Sequence, residues 1–178
     1  MVNSGCSQGH AWRWVYALSS QMLGNDLASK RKRARSDYAY HLEYRTRWSD
    51  NDMYHHLNNS IYAFLIDSIV NAYLIERCGM NPQSSEQIGL VVSSYCDFFG
   101  SVAYPSVLDL GLRAVKLGKS SVKYEVGIFE QGKEDVRAVG GSVHVFVKQN
   151  GRRPSEDGME SVMRKGLTEL LEKVSAHL

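Results

Sequence analysis

Two carboxylates and two histidines fall close together at Asp50, Asp52, His55 and His56, and an asparagine pair, Asn58 and Asn59, follows at once. Behind them runs an apolar stretch from Ile61 to Ile75, interrupted mainly by Asp67, Ser68 and Asn71. Asparagine is a good N-cap, so a helix is expected to start at Asn58–Asn59. The first N–H groups of a helix lack intrahelical partners and carry the positive end of its dipole. Carboxylates and histidines ahead of such open N–H groups have the makings of a reaction centre. The same four side chains can also be drawn as a metal site. Adjacent histidines on one loop usually point apart, however, and no distant cluster completes a ligand set. No metal and no cofactor is therefore expected.

The elements that must position these residues follow from periodicity. The apolar segment covers nearly the whole helical circumference, the mark of an interior helix. Gly79 supplies its stop, giving about 19 residues and roughly 28 Å. Asp67 and Asn71 argue against a membrane span. Bulky residues at Tyr38, Tyr40, Leu42 and Tyr44 alternate as in a strand up to Trp48. Four further strands are expected over 89–99, 107–117, 122–128 and 136–148, joined by short turns. Gly140–Gly141 marks a bulge or a close backbone approach in the last of them. Met159, Met163, Leu167, Leu170, Leu171 and Val174 then fall on one face of a closing helix, despite Gly166. Hairpin connections imply an antiparallel sheet, and segregated helices imply the α+β class. A five-stranded antiparallel sheet wrapped round the long central helix, with a C-terminal amphipathic helix, satisfies every period. Its exposed edge invites a second copy.

At 178 residues the chain suits one domain, able to bury roughly 70% of its unfolded surface. A formal charge of +2 is too small to indicate nucleic acid. The basic character lies in residues 1–36, where Arg13, Lys30, Arg31, Lys32, Arg33 and Arg35 face one acid, Asp26. That segment is expected to be a poorly ordered basic tail or leader, with the domain spanning 37–178. A weakly docked tail, a mitochondrial leader and a nuclear signal compete for it. Cys6, Cys78 and Cys96 make no metal spacing, and the last two are expected to be buried thiols in a reducing compartment. The expected location is cytoplasmic, with a mitochondrial one as the alternative.

The run Arg47–Asn59 resembles the loop-to-helix motif of hotdog-fold acyl-CoA thioesterases, the 4-hydroxybenzoyl-CoA thioesterase-like group. Its members carry Asp-x-Asp, then Gly-His-x-Asn-Asn, then the long hotdog helix. The similarity extends in order and spacing over roughly residues 41–150, including the strand start at Gly89 and the stretch 113–121. His55 stands where glycine is usual; glycine would permit a left-handed backbone there, which histidine tolerates better than most residues but not freely. The resemblance implies hydrolysis of an acyl-CoA thioester to free acid and CoA. Asp52 would act as general base or nucleophile, and the N–H groups at the helix start would hold the oxyanion. His56 would position Asp52 or the substrate, Asn58 and Asn59 would cap the helix and fix the loop, and Asp50 would orient it. Lys116, Lys119, Ser120 and Ser121 would meet CoA. Asp67 is the runner-up catalytic carboxylate. A loop residue capping its own turn is the competing reading of Asp52, and solvated turn residues that of the lysines and serines. A homodimer or homotetramer acting on acyl-CoA is expected, with neither nucleic acid nor membrane as partner. The alternatives are a non-catalytic hotdog module binding acyl-CoA or a protein and, least favoured, a hotdog dehydratase.

Overall fold

The computed structural model describes residue 24 and residues 26–175, with the backbone alone for 172–175. Between residues 40 and 175 five strands and two helices follow in the order β1 (Tyr40–Arg45), α1 (Asn59–Cys78), β2 (Gln87–Phe98), β3 (Val107–Leu117), β4 (Ser121–Glu130), β5 (Val136–Lys148) and α2 (Ser161–Ser175). The strands form one sheet in the order β1-β3-β4-β5-β2, and every pairing is antiparallel. The sheet lies against α1, which is the hotdog arrangement. The outermost strands, β1 and β2, each have one neighbour, so β2 leaves an open edge.

Burial explains the pattern. The inner face of α1 contributes Leu65, Ile66, Ile69, Val70 and Leu74 to a core shared with Leu110, Leu112, Val126 and Phe146. Gly79 ends the helix in the left-handed conformation, with φ 67°. Gly140 is explained by close approach, because a Cβ there would strike the Ile66 side chain of α1. The breaks in β2 and β3 lie elsewhere, between Val91 and Ser93 and between Ala114 and Lys116. A Cβ on Gly166 would stand 2.6 Å from Cys78 Sγ, so glycine lets α2 close on the end of α1. Tyr73 there donates its hydroxyl to the Gly166 carbonyl at 2.7 Å.

One expectation needs correction. A fully interior α1 is not what one chain builds: Phe64 is 53% exposed and Ile75 47%. One thin sheet covers only one side of a helix. Packing on the sheet also involves residues before 37. Residues 26–36 lie across the sheet face opposite α1, where Lys30 pairs with Asp97 at 2.8 Å, Arg33 with Glu125 at 2.9 Å and Arg35 with Asp109 at 3.1 Å. Glu125 is only 5% exposed and is also held by Arg113 at 3.0 Å. Tyr38 precedes β1 rather than joining it. Its ring lies over Gly111 and Gly127, cross-strand partners whose missing side chains leave the space. It packs there with Phe129, Val136 and Val139 as a second small core. Residues 1–23, which carry most of the tail and leader readings and Cys6, lie outside the described residues. No helix among the described residues is long and apolar enough to cross a membrane.

Candidate active site

The loop between β1 and α1 is built around a buried acid. The β1 register on β3 ends at Arg45–Val107, and Thr46 exchanges hydrogen bonds with Ser106, fixing where the loop departs. A 3-10 turn, Trp48–Asp50, then tucks Asp50 inward to 4% exposure. One oxygen, Oδ2, accepts both the Tyr44 hydroxyl at 2.8 Å and the Arg47 N–H at 2.7 Å. The Asp50 carbonyl accepts the N–H of Asn58 at 2.8 Å, tying the turn to the helix cap. Burial, and then the Asp50 carboxylate, raise the Tyr44 phenol above its ordinary value. Asp50 thus ties the end of β1 to the loop, through the Tyr44 hydroxyl and a backbone N–H.

Asp52 is half-buried. Its Oδ1 accepts the N–H groups of Tyr54 at 2.8 Å and His56 at 3.1 Å, and its own N–H donates to the His56 carbonyl at 2.7 Å. Oδ2 has no hydrogen-bond partner among the described residues. One oxygen of the carboxylate therefore caps the turn, and the other has no partner among the described residues. His55 adopts φ 62°, the left-handed value expected where the family usually has glycine. Such a conformation costs a non-glycine residue on the order of 1–2 kcal/mol. The His55 and His56 side chains are exposed and make no hydrogen bond among the described residues. With Asp50 turned inward and the histidines outward, the four candidate ligands do not converge. Among the described residues no group of three His, Cys, Asp or Glu is placed to hold a metal.

Asn58 is the N-cap, accepting from the N–H and hydroxyl of Ser60 at 3.0 and 2.9 Å. Its carbonyl accepts Ile61 N–H at 2.9 Å. With those donors taken, the N–H of Asn59, first residue of α1, is left without a partner among the described residues. Asn59 also lines a cavity of about 250 Å³ between α1 and strands β2 and β5, together with Asp67, Cys96 and Ser142. Asp52 does not line it. Burial pushes the Cys96 thiol up to about 12, so it is a protonated wall rather than a nucleophile at neutral pH.

The other expected contacts lie elsewhere. Lys119 and Ser120 lie in the β3–β4 turn, with Lys116 near the end of β3 and Ser121 opening β4; the Ser120 and Lys119 carbonyls accept Phe146 N–H at 2.7 Å and Met159 N–H at 3.0 Å. The loop side of the fold adjoins Val107, so ten strand steps of about 3.3 Å, roughly 33 Å, separate the two ends of β3. A single subunit does not bring that turn to Asp52. Ser142 and Cys96 were missed as site residues because the cavity joins strands that are distant in sequence. The available signal was polarity on the helix-facing positions of β5, where Ser142 and His144 interrupt Ala138, Gly140 and Phe146.

A helix-wrapping antiparallel sheet, with a carboxylate loop feeding the open end of the helix, defines the hotdog class. The chain belongs to the thioesterase superfamily, which it matches over residues 54–136. Among solved structures, the PA5185 protein of Pseudomonas aeruginosa strain PAO1 is 44% identical, with a TM-score of 0.74 over 78% of this chain and 95% of that one. A 1,4-dihydroxy-2-naphthoyl-CoA thioesterase from Synechocystis shares the fold at 12% identity, TM-score 0.66, over 74% of this chain and 96% of that one. A Staphylococcus aureus protein solved in complex with CoA does so at 9% identity, TM-score 0.69, over 75% and 84%. No curated protein matches the sequence significantly.

Proposed function

We propose that this chain hydrolyses the thioester of an acyl-CoA to the free acid and CoA. The observation that carries the reading is that, within one short loop, Asp52 keeps an oxygen, Oδ2, and Asn59 an N–H without a partner among the described residues. In the base-catalysed form, Asp52 takes a proton from water as the water oxygen bonds the carbonyl carbon. The carbonyl electron pair moves onto oxygen, which the Asn59 N–H and the positive end of α1 stabilise. Collapse restores the carbonyl and expels the CoA thiolate, a good leaving group that needs no strong acid. In the nucleophilic form Asp52 itself attacks, and water then cleaves the anhydride. The rigid Asp50 hub keeps the carboxylate and helix end in register, and His56 positions the loop through its backbone. The names of the Synechocystis and Staphylococcus relatives, a CoA thioesterase and a CoA complex, support a CoA thioester as substrate.

The working unit in this reading is a homodimer, or a homotetramer built from it. Val91, Val92 and Phe98 on the edge strand β2 and Phe64 on α1 are half or more exposed. Antiparallel pairing of β2 with its copy sets one subunit's Gln87 end beside the other's Phe98 end. The partner's β3–β4 turn then approaches the loop end, which is how Lys116, Lys119, Ser120 and Ser121 would meet CoA. The double engagement of Asp52 Oδ1 favours the rival reading, a binding module in which this acid is only a turn cap. Release of thiol from a panel of acyl-CoAs separates the two: turnover above the uncatalysed rate supports the enzyme, and binding without turnover supports the module.

A further inference from the structure

On the strand side of the cavity beside the start of α1, Ser142 is a lining residue at 4% exposure, and its Oγ has no hydrogen-bond partner among the described residues. Two residues on along β5, and not itself lining the cavity, His144 is 2% exposed, and neither ring nitrogen has a partner among them. Val91, the cross-strand partner of His144, lines the same cavity. A Cβ on Gly89 would stand 2.8 Å from His144 Nδ1, so glycine on the edge strand keeps that nitrogen clear. Each buried, unpartnered polar group costs the fold stability. Ala and Phe would fill these positions at no such cost, and the fold uses Ala138 and Phe146 elsewhere on the same face. The cost is recovered when something polar enters.

The chemistry of the occupant follows from the wall. A serine hydroxyl and a neutral imidazole can each donate and accept, and burial holds His144 below its ordinary value and hence neutral. Asp67 on the helix side repels an anionic acyl group. Pockets for drug-sized ligands start at about 300 Å³, so about 250 Å³ suits a short group rather than a long chain. We propose that Ser142, backed by His144, selects a short, uncharged acyl group bearing a hydroxyl or keto oxygen, held in the cavity while its thioester carbonyl lies at Asn59. This rests on the acyl-CoA reading above.

The test compares kcat/KM of the intact protein for 3-hydroxybutyryl-CoA, butyryl-CoA, succinyl-CoA and decanoyl-CoA. The hydroxylated substrate is expected to lead butyryl-CoA by about tenfold, the worth of one well-made hydrogen bond, with succinyl- and decanoyl-CoA below both. In Ser142→Ala the hydroxyl preference falls toward one, whatever the absolute rate, and in His144→Phe it falls in part. Ser142→Gly serves if the alanine variant does not fold. A wild-type ratio near one, or a ratio unmoved by Ser142→Ala, overturns the assignment. Calorimetry with the uncleavable thioethers S-(3-hydroxybutyl)-CoA and S-butyl-CoA reads the cavity without turnover. If no thioester is cleaved, the hydrolase reading fails. Tighter binding of the hydroxylated thioether would still uphold the cavity assignment, and equal or absent binding would refute it, as it would if water alone satisfies Ser142.

Discussion

Asp50 is the perturbation that most directly links fold to site. Both of its side-chain bonds, from the Tyr44 hydroxyl and the Arg47 N–H, converge on Oδ2. Asp50→Asn can present its amide oxygen at that point and keep both bonds, but as neutral ones. Hydrogen bonds to a charged group are worth about 1.5–3 kcal/mol and neutral ones about 0.5–1.5, so two downgraded bonds cost about 2 kcal/mol. Asp50→Ala removes both and strands two donors at a half-buried site, at about 3–5 kcal/mol. A domain of this size loses about 2–4 °C of Tm per kcal/mol. The expected drops are therefore about 4–8 °C for asparagine and about 6–20 °C for alanine, read by circular dichroism melts. Tyr44→Phe removes one donor, and in a double-mutant cycle it should couple to Asp50→Ala rather than add to it. Thiol release at 25 °C, well below the melts, should fall more in the alanine variant, because Asp52 and the Asn58 cap both hang from this hub. Equal melts for the asparagine and alanine variants, or shifts under about 1 °C for both, would refute Asp50 as the loop's organiser.

Three further outcomes are expected. A chain beginning at Asp37 loses the basic partners of Asp97 and Asp109 and one of the two arginines on Glu125, which keeps Arg113; a hydrogen bond to a charged group is worth about 1.5–3 kcal/mol, so its Tm should drop by about 3–12 °C, and an unchanged melt would return residues 26–36 to the status of a tail. His55→Gly trades relief of about 1–2 kcal/mol against glycine's entropy cost of about 0.5–1, so stability should hold or rise by up to about 1 kcal/mol, and a clear loss in the melt would show that the histidine side chain matters. His144 has a depressed folded pKa, so it binds a proton more readily unfolded than folded. Its contribution is complete above about pH 6.5 and is lost as pH falls toward and through the folded value; His144→Phe should flatten that part of the Tm–pH curve, and an unaltered slope would contradict its burial as a neutral ring.

How much of this was legible depended on the range of the interaction. Helix α1, its Asn58 cap and its Gly79 stop are local, and the sequence carries them in full. So do the four strands after it, to within a residue or two at most ends. Tyr38 was misread because its spacing continues the alternation of Tyr40, Leu42 and Tyr44, whereas its place is set by the paired gaps at Gly111 and Gly127. Nothing near Lys30 or Arg33 in the chain announces Asp97 or Glu125, which are 67 and 92 residues away. A basic run with distant acidic partners looks the same as a solvated tail. In the site, the Asp50–Asn59 loop is contiguous and was readable. The cavity that adjoins it was not, since Asp67, Cys96 and Ser142 meet only after the sheet has formed.

The most direct measurement is steady-state thiol release by Asp52→Asn beside wild type and Asp67→Asn. Asparagine keeps the Oδ1 acceptor for Tyr54 and His56, so the loop and the melt should be nearly unchanged while the basic oxygen is lost. The account predicts a fall in kcat of about 10²–10⁴-fold, the usual share of general-base catalysis, with KM little altered and Asp67→Asn much less affected. A larger loss at Asp67 with the fold intact would move the catalytic carboxylate onto α1, and unchanged thiol release in both variants would contradict hydrolysis at this site altogether.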